Sequence, residues 1–223
     1  MKYGILFTVI AILLGIVAIN NSGWFLFLIW PSISYAIVAT GYLYFGPAIF
    51  GKSTKGKLSL LNKIVLLPYL LQLWFLWYLL RMTKKEPAYD QITENIFIGR
   101  RLLGHELPME IDHVIDLTCE FSEPEPVRSL SYYSFQILDG FVPPSEKLHC
   151  WVNQVSSLSG KIYIHCAEGH GRTGLFAALL VTHIGYSKNV EEGLLFIQSK
   201  RPQVRLGEKQ LALLFEDHKD DNK

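Results

Sequence analysis

Residues 165–174, HCAEGHGRTG, place a cysteine six positions before an arginine across a loop that contains glycines. The preceding residues 161–165, KIYIH, are β-branched and aromatic, which is typical of a short buried strand. Residues 172–184, RTGLFAALLVTHI, lack proline and are apolar around most of their surface, which predicts a buried helix. The sequence therefore predicts a strand, a tight loop and a helix in direct succession.

The loop between Cys166 and Arg172 has the composition of an anion-binding site. Gly169 and Gly171 permit backbone angles that other residues avoid, so successive N–H groups can point towards one centre. The positive end of the helix dipole points towards the same centre, and such a field favours the thiolate form of cysteine. We predict that Cys166 is a nucleophile that attacks phosphorus. We expect the phosphate to be bound by Arg172 and by the loop residues Ala167, Glu168, Gly169, His170 and Gly171.

Neighbouring side chains have predicted supporting roles. Arg172 offers a planar fork of N–H donors that suits two phosphate oxygens. Thr173 is expected to hydrogen-bond the Cys166 sulfur, and His165 to orient the loop from behind. Considered alone, a cysteine after a strand is usually a small buried apolar residue, and an arginine at the start of a helix is usually a surface charge. The order and spacing of Cys166, the glycines and Arg172 disfavour that interpretation. A zinc site formed by His165, Cys166 and His170 is also disfavoured, because the chain has no further C-x-x-C or H-x-x-x-H pair.

A displacement at phosphorus also needs an acid that protonates the leaving oxygen. Asp139 follows the apolar residues 135–138, FQIL, which we interpret as a strand, and Gly140 and two prolines follow it. On composition, an aspartate at the end of a strand is more often a turn or helix cap. Asp139 is therefore a candidate acid with capping as the alternative.

Together these residues resemble the dual-specificity branch of the cysteine-dependent protein tyrosine phosphatase superfamily, over roughly residues 90–217. Beyond the loop, the resemblance includes residues 95–100 (NIFIGR), 114–118 (VIDLT), 138–140 (LDG) and 201–204 (RPQV), followed by Gln210. It implies an α/β fold with a central, mostly parallel sheet flanked by helices. It further implies that Cys166 is the nucleophile, Arg172 the phosphate clamp and Asp139 the general acid and then base, with no metal and no cofactor.

Glu168 and His170 stand where relatives that act on polyphosphoinositides tend to carry lysines. A carboxylate at the rim would repel a highly charged head group, unless Glu168 faces away from the pocket. This feature disfavours a polyphosphorylated lipid as substrate, but not a lipid with one phosphomonoester.

The first 82 residues differ in composition from the rest and predict an N-terminal transmembrane region. Apolar runs cover residues 4–19, 24–50 and 64–80, whereas a bilayer core needs ~20 apolar residues, with ~17 near the lower limit. We expect two or three helices. A cleaved signal peptide over residues 1–19 is the alternative, and it is disfavoured because no small-residue cleavage site precedes the next apolar run.

The basic residues set the expected orientation. Lysines cluster after the second apolar run, and further basic residues follow the third: Lys52, Lys55, Lys57 and Lys63, then Arg81, Lys84 and Lys85. Both groups favour the cytoplasmic side, and a complete third span would separate them. The third run therefore either lies at the interface or enters the bilayer and returns, or it spans against this bias. In both cases the catalytic domain is expected to face the cytoplasm, at the inner membrane if the cell is bacterial.

The remaining chain divides into a linker (83–91), a catalytic domain (92–218) and a tail expected to be disordered (219–223). Helices are predicted over residues 145–158, 191–200 and 208–218, and residues 123–126, EPEP, are interpreted as a surface loop. Arg100, Arg101 and Arg205 are candidates for substrate contact, although structural ion pairs are favoured. Gln210 is expected either to position the hydrolytic water or to pack.

Composition narrows the function classes. Three cysteines form no even disulfide set, and a net charge of +1 without a basic aromatic stripe gives no argument for nucleic acid. The leading hypothesis is a membrane-anchored phosphatase for phosphoproteins, phosphotyrosine in particular. The second is a phosphatase for a lipid such as phosphatidylglycerophosphate or a monophosphorylated inositide. An inactive phosphate-binding module is disfavoured, because it would have no use for Asp139.

Overall fold

The computed structural model describes residues 2–21, 23–108 and 110–220. These residues form two compact units. The first comprises Met1–Lys85 with Cys119–Ser122, and the second comprises Glu86–Thr118 with Glu123–Lys223.

The first unit is helical. Helix α1 (Lys2–Asn20) is followed by a continuous helical stretch that contains a 3-10 turn (Gly23–Leu28), α2 (Ile29–Thr40), a π-helical turn (Gly41–Phe45) and a second 3-10 turn (Gly46–Phe50). The buried residues of α1 are Gly4, Ala11 and Ala18, and small residues let helix backbones approach closely. The hydroxyl of Ser32 on α2 donates to the carbonyl of Ala11 at 2.7 Å. Within the described residues, Lys2–Asn20 and Gly23–Phe50 are the two helical segments long and apolar enough to cross a bilayer.

The third apolar run is divided between two helices. Helix α3 (Leu60–Val65) ends at Leu66, and α4 (Leu67–Thr83) begins directly afterwards. Pro68 lies in the first turn of α4, where its missing N–H costs no intrahelical hydrogen bond. Many side chains on α4 remain exposed, including Leu71, Phe75, Leu76 and Leu79.

The second unit is built on a five-stranded sheet. In chain order its strands are β1 (Tyr89–Gln91), β2 (Ile96–Arg100), β3 (His113–Asp116), β4 (Ser131–Ser134) and β5 (Ile162–Cys166). The spatial order is β1-β2-β5-β3-β4, and all neighbours are parallel except β1 and β2. Strand β5 lies between β2 and β3 with all five residues buried, which explains its largely apolar character. The predicted parallel α/β sheet is confirmed.

Helices complete this unit. They are α5 (Glu125–Arg128), α6 (Ser145–Ser156), α7 (Gly171–His183), α8 (Val190–Lys200) and α9 (Glu208–Asp220). Ten residues of α7 are buried, from Arg172 to Val181, as its apolar surface predicted. The core joins α7 to the central strands through residues such as Ile98, Ile115, Ile164 and Phe176.

Two local predictions were wrong. Residues 123–126 are not a surface loop throughout: Glu123 is buried and ion-paired with Arg101 at 2.8 Å, and the exposed residues Glu125 and Pro126 begin α5. Residues 135–138 are not a strand, because β4 is the preceding segment Ser131–Ser134. In the predicted disordered tail, residues up to Asp220 belong to α9, and residues 221–223 lie outside the described residues.

Candidate active site

The predicted succession of strand, loop and helix is present. β5 ends at Cys166 and α7 begins at Gly171, each within one residue of the predicted boundary. The phosphate loop, residues 166–172, therefore lies at the carboxyl end of the central strand. Cys166 is buried, and its sulfur accepts a hydrogen bond from the Gly169 N–H at 3.2 Å. A backbone amide thus points at the sulfur, and such a donor stabilises a thiolate.

Gly169 is the residue on which the shape of the loop depends most. Its φ of +76° lies in the region that favours glycine. A Cβ atom here would lie 2.3 Å from the backbone carbon of Gly99 on β2 and 2.5 Å from the Gly99 carbonyl oxygen. The loop therefore needs glycine for its backbone angle and for its close approach to the neighbouring strand.

Arg172 is held by the backbone at the ends of two other segments. The side chain is 1% exposed. One terminal nitrogen, Nη1, donates to the carbonyl of Ile137 at 2.8 Å and to that of Leu117 at 3.4 Å. These contacts fix the position of the guanidinium beside the loop and leave Nη2 directed towards Asp139.

Asp139 lies beside this arginine, with its Oδ1 atom 3.3 Å from Arg172 Nη2. Its side chain is 68% exposed, so the carboxyl group is accessible to a ligand. Gly140 has a φ of +65°, and the Phe141 N–H donates to the Leu138 carbonyl at 3.1 Å, which turns the chain directly after Asp139. Helix α6 begins at Ser145 with Pro144 before it, so Asp139 does not cap that helix.

Thr173 does not make its expected contact. Its hydroxyl is fully buried and has no hydrogen-bond partner, whereas the Cys166 sulfur receives the amide of Gly169 instead. His165 is buried behind the loop, where Nδ1 lies 3.4 Å from the Cys166 carbonyl. A carbonyl only accepts, so Nδ1 is the protonated nitrogen in this hydrogen bond. The ring of His165 stacks on that of Tyr163 with 5.5 Å between centroids.

The rim of the loop carries two carboxylates around one imidazole. Nε2 of His170 lies 2.7 Å from Oε2 of Glu86, and Nδ1 lies 3.5 Å from Oε2 of Glu168. Glu168 is 37% exposed. Glu168 therefore faces His170 at the surface of the loop, and Glu86 adds a second negative charge that the sequence did not predict.

A cluster of buried polar groups lies beside His165. Asp116, Glu123 and His165 form the one group within the described part of the chain whose ligand atoms are close enough to hold a metal ion, all within 4.8 Å. Both carboxylate oxygens of Asp116 accept hydrogen bonds, from Thr118 and from the Tyr132 hydroxyl, and Oε1 of Glu123 accepts one from Arg101. Burial raises the pKa of Tyr132, and the Asp116 carboxylate raises it further, so this phenol remains a donor. Neither Cys166 nor His170 belongs to this group, so the alternative zinc site is not formed.

Three of the other candidate residues, Arg100, Arg101 and Gln210, have structural partners, whereas Arg205 is exposed. Arg101 pairs with Glu123, and Arg100 lies 3.7 Å from Glu106. Gln210 is buried, and its side-chain oxygen accepts the Gly207 N–H at 2.9 Å, at the start of α9. The predicted structural ion pairs of Arg100 and Arg101 are thus present, and a role of Gln210 at the hydrolytic water stays a prediction.

The family of the Swiss Army Knife protein, DSP-PTPase phosphatase domain, matches residues 102–215. The chain belongs to this family. It is therefore a cysteine-dependent phosphatase of the DSP-PTPase type, and the matched region contains the phosphate loop, Arg172 and Asp139. Comparison with curated protein sequences returned no match.

Solved structures share the fold of this DSP-PTPase domain. Tk-PTP in its active form is 23% identical, with a TM-score of 0.51 over 58% of this chain and 95% of that chain. PTPMT1 in complex with PI(5)P is 20% identical, with a TM-score of 0.51 over 60% and 96%. The human tyrosine phosphatase-like serine/threonine/tyrosine-interacting protein is 16% identical, with a TM-score of 0.52 over 60% and 98%. These structural similarities show a common fold.

Sequence reasoning missed the groups that hold the DSP-PTPase site from outside the loop. The carbonyls of Leu117 and Ile137 orient Arg172. Every residue has a backbone carbonyl, so the sequence does not indicate which ones accept this hydrogen bond. Glu86 and Arg201 contact the phosphate loop from distant positions in the chain. The one signal for Arg201 was its place in the RPQV motif, residues 201–204.

Proposed function

We propose that this protein is a membrane-anchored phosphatase that hydrolyses phosphomonoesters on proteins, phosphotyrosine in particular, through a cysteinyl-phosphate intermediate. The proposal is carried by two contacts made by residues at the two ends of the loop 166–172. The Cys166 sulfur accepts the Gly169 amide at 3.2 Å, and Arg172 lies 3.3 Å from the exposed carboxyl group of Asp139.

In the first proposed step, the Cys166 thiolate attacks phosphorus and forms an S–P bond. The P–O bond to the leaving group breaks, and Asp139 gives its proton to the leaving oxygen. Arg172 and the amides of the phosphate loop bind the charge on the transferring group.

In the second step, water attacks the phosphorus of the intermediate. The Asp139 carboxylate accepts a proton from that water, the S–P bond breaks, and the Cys166 thiolate and inorganic phosphate are released. Every proton and bond in this cycle is supplied by the substrate, by water or by these two side chains.

The charge at the rim supports a substrate with a single phosphate near the loop. Glu86 and Glu168 both lie beside His170 of the loop, and their carboxylates would repel a second, neighbouring phosphate. A phosphotyrosine side chain presents one phosphate on a neutral ring and avoids this repulsion.

A lipid phosphate is the second candidate. The two apolar helical segments support it, because a bilayer anchor would keep the domain beside lipid head groups. Only residues 84–88 separate α4 from β1, so the tether is short. A lipid with one phosphomonoester is compatible with the acidic rim.

We also propose that α1 and the Gly23–Phe50 segment span the bilayer and that the catalytic domain faces the cytoplasm. Their length, their exposed apolar side chains and the lysines that follow Phe50 support this topology. Resistance of the protein in membranes to carbonate extraction, with an intact N-terminus by mass spectrometry, is the expected result. Cleavage after residue 19 or release by carbonate would contradict it.

The function is tested by turnover of the purified full-length protein in liposomes against a phosphopeptide panel and a phospholipid panel. We expect release of phosphate from phosphotyrosine peptides and no release by the Cys166→Ser variant, which should still bind phosphate. Preference for a phospholipid would favour the second candidate. Appreciable turnover by Cys166→Ser would place the nucleophile elsewhere.

A further inference from the structure

Arg201 is a charged residue that the proposed reaction leaves without a role. It follows the end of α8, and its side chain is completely buried. Burial of a guanidinium is costly unless charged and polar partners surround it. The partners of Arg201 therefore indicate which parts of the domain it holds together.

Those partners belong to two segments that are far apart in the sequence. Nε donates to the carbonyl of Gly169 in the phosphate loop at 3.1 Å. Nη1 donates to the carboxylate of Asp90 at 2.5 Å and to the carbonyl of Pro87 at 3.3 Å. Arg201 thus bridges the phosphate loop to residues 86–90, which we name the strap.

The contact between Arg201 and Gly169 orients backbone amides of the phosphate loop. The N–H of Gly169 donates to the Cys166 sulfur, while its carbonyl accepts from Arg201. No cis peptide bond is present among the described residues, and in a trans peptide the C=O and N–H point in opposite directions. By holding the Gly169 carbonyl, Arg201 directs the following N–H, that of His170, to the opposite side.

A second contact joins the other end of the strap to the same loop. His170 Nε2 lies 2.7 Å from Glu86 Oε2, and a carboxylate only accepts, so the imidazole donates. Their side chains are 18% and 22% exposed. The strap is therefore attached to the phosphate loop at both ends, through His170 at Glu86 and through Arg201 at Asp90.

We propose that Arg201, Asp90 and Glu86 are positioning residues that hold the phosphate loop in its phosphate-binding conformation. They act through Gly169 and His170. The strap begins at Glu86, directly after Lys85, the last residue of the helical unit in this part of the chain. In this proposal the strap, which directly follows the apolar region in the sequence, contributes to the active site. This inference rests on the proposed function, because it assigns these residues to the same phosphate site.

The test uses the full-length protein in liposomes and three variants: Arg201→Lys, Asp90→Asn and Glu86→Gln. The matched control is Glu110→Gln, since Glu110 pairs with Lys161 just before the start of β5, at the opposite end of that strand from Cys166. Affinity for orthovanadate is measured by calorimetry, and kcat and KM are measured with p-nitrophenyl phosphate. Loss of a charge-assisted hydrogen bond should weaken vanadate binding by about tenfold in Arg201→Lys and about threefold or more in the other two variants. The control should match the wild type.

Thermal unfolding of each variant separates positioning from folding. A weaker vanadate affinity with an unfolding midpoint close to that of the wild type supports the proposal. If Arg201→Lys does not fold, Asp90→Asn and Glu86→Gln decide, because their side chains are partly exposed. If all folded variants keep the vanadate affinity of the wild type, the proposed positioning role of Arg201, Asp90 and Glu86 is overturned. A wild-type protein that binds vanadate but turns over no phosphomonoester overturns the proposed function alone.

Discussion

Arg172 Nη2 and Asp139 Oδ1 lie 3.3 Å apart, although the first side chain is buried and two-thirds of the second is exposed. The contact follows from backbone geometry. The Ile137 carbonyl accepts from Arg172, and Asp139 lies two residues further along the same segment. In the proposed reaction, a phosphate that binds Arg172 would compete with the Asp139 carboxylate for the guanidinium, and the carboxyl group would then be released to face the leaving oxygen.

Replacement of Asp139 by Asn should slow the turnover of substrates with poor leaving groups more than that of substrates with good leaving groups. The amide cannot donate a proton to an alkoxide, so turnover of alkyl phosphates should fall by about 10²–10⁴-fold. Turnover of p-nitrophenyl phosphate should fall much less, because its leaving group needs no acid, and vanadate affinity should be kept or increased. Steady-state kinetics with both substrates measures the difference, and equal losses for both would remove the acid role from Asp139.

Replacement of Gly169 by Ala should disrupt the phosphate loop. The new Cβ would lie 2.3 Å from the Gly99 backbone at a φ of +76°, so the loop must move away from β2. We expect loss of vanadate binding and a cost of about 1–3 kcal/mol in the free energy of unfolding.

Gly185→Ala is the matched control for Gly169→Ala. Gly185 has a φ of +85°, but no atom lies within 4 Å of a Cβ built there. The backbone strain should cost about 1–2 kcal/mol, with vanadate binding retained. Similar loss of binding in both variants would show that general destabilisation, rather than the contact with Gly99, explains the effect.

Replacement of Thr173 by Val should cost little stability. The buried hydroxyl has no hydrogen-bond partner, so its removal breaks no bond. We expect the free energy of unfolding to change by less than about 1 kcal/mol. The role of Thr173 at the sulfur stays a prediction: slower turnover with unchanged stability would support it. A large loss of stability would instead mean that the hydroxyl is bonded in the folded protein.

Treatment with EDTA should change neither turnover nor thermal unfolding. Both oxygens of Asp116 and Oε1 of Glu123 accept hydrogen bonds from Thr118, Tyr132 and Arg101, so three of the oxygens that a metal ion could use already have donors. The proposed mechanism also assigns no step to a metal. Activity that EDTA abolishes and a divalent cation restores would contradict both arguments.

Local patterns predicted the centre of the domain well. The strand that ends at Cys166 and the helix after it are largely apolar because most of their residues are buried, and this character is visible in sequence. The EPEP segment was misread because proline and glutamate are usually exposed. Glu123 is buried with Arg101, 22 residues away, as a counter-charge.

The amino-acid sequence by itself determined the nucleophile loop, the identity of the candidate acid and arginine, and the apolar character of the first 82 residues. These properties reside in short runs of neighbouring residues, where spacing and side-chain chemistry are sufficient. Tertiary structure alone decided which distant groups hold that loop: the carbonyls on Arg172, Glu86 on His170, and Arg201 between Gly169 and Asp90. Such contacts join residues up to 111 positions apart. They exist only once the sheet and helices have packed, since packing is what brings a buried charge and its partners together.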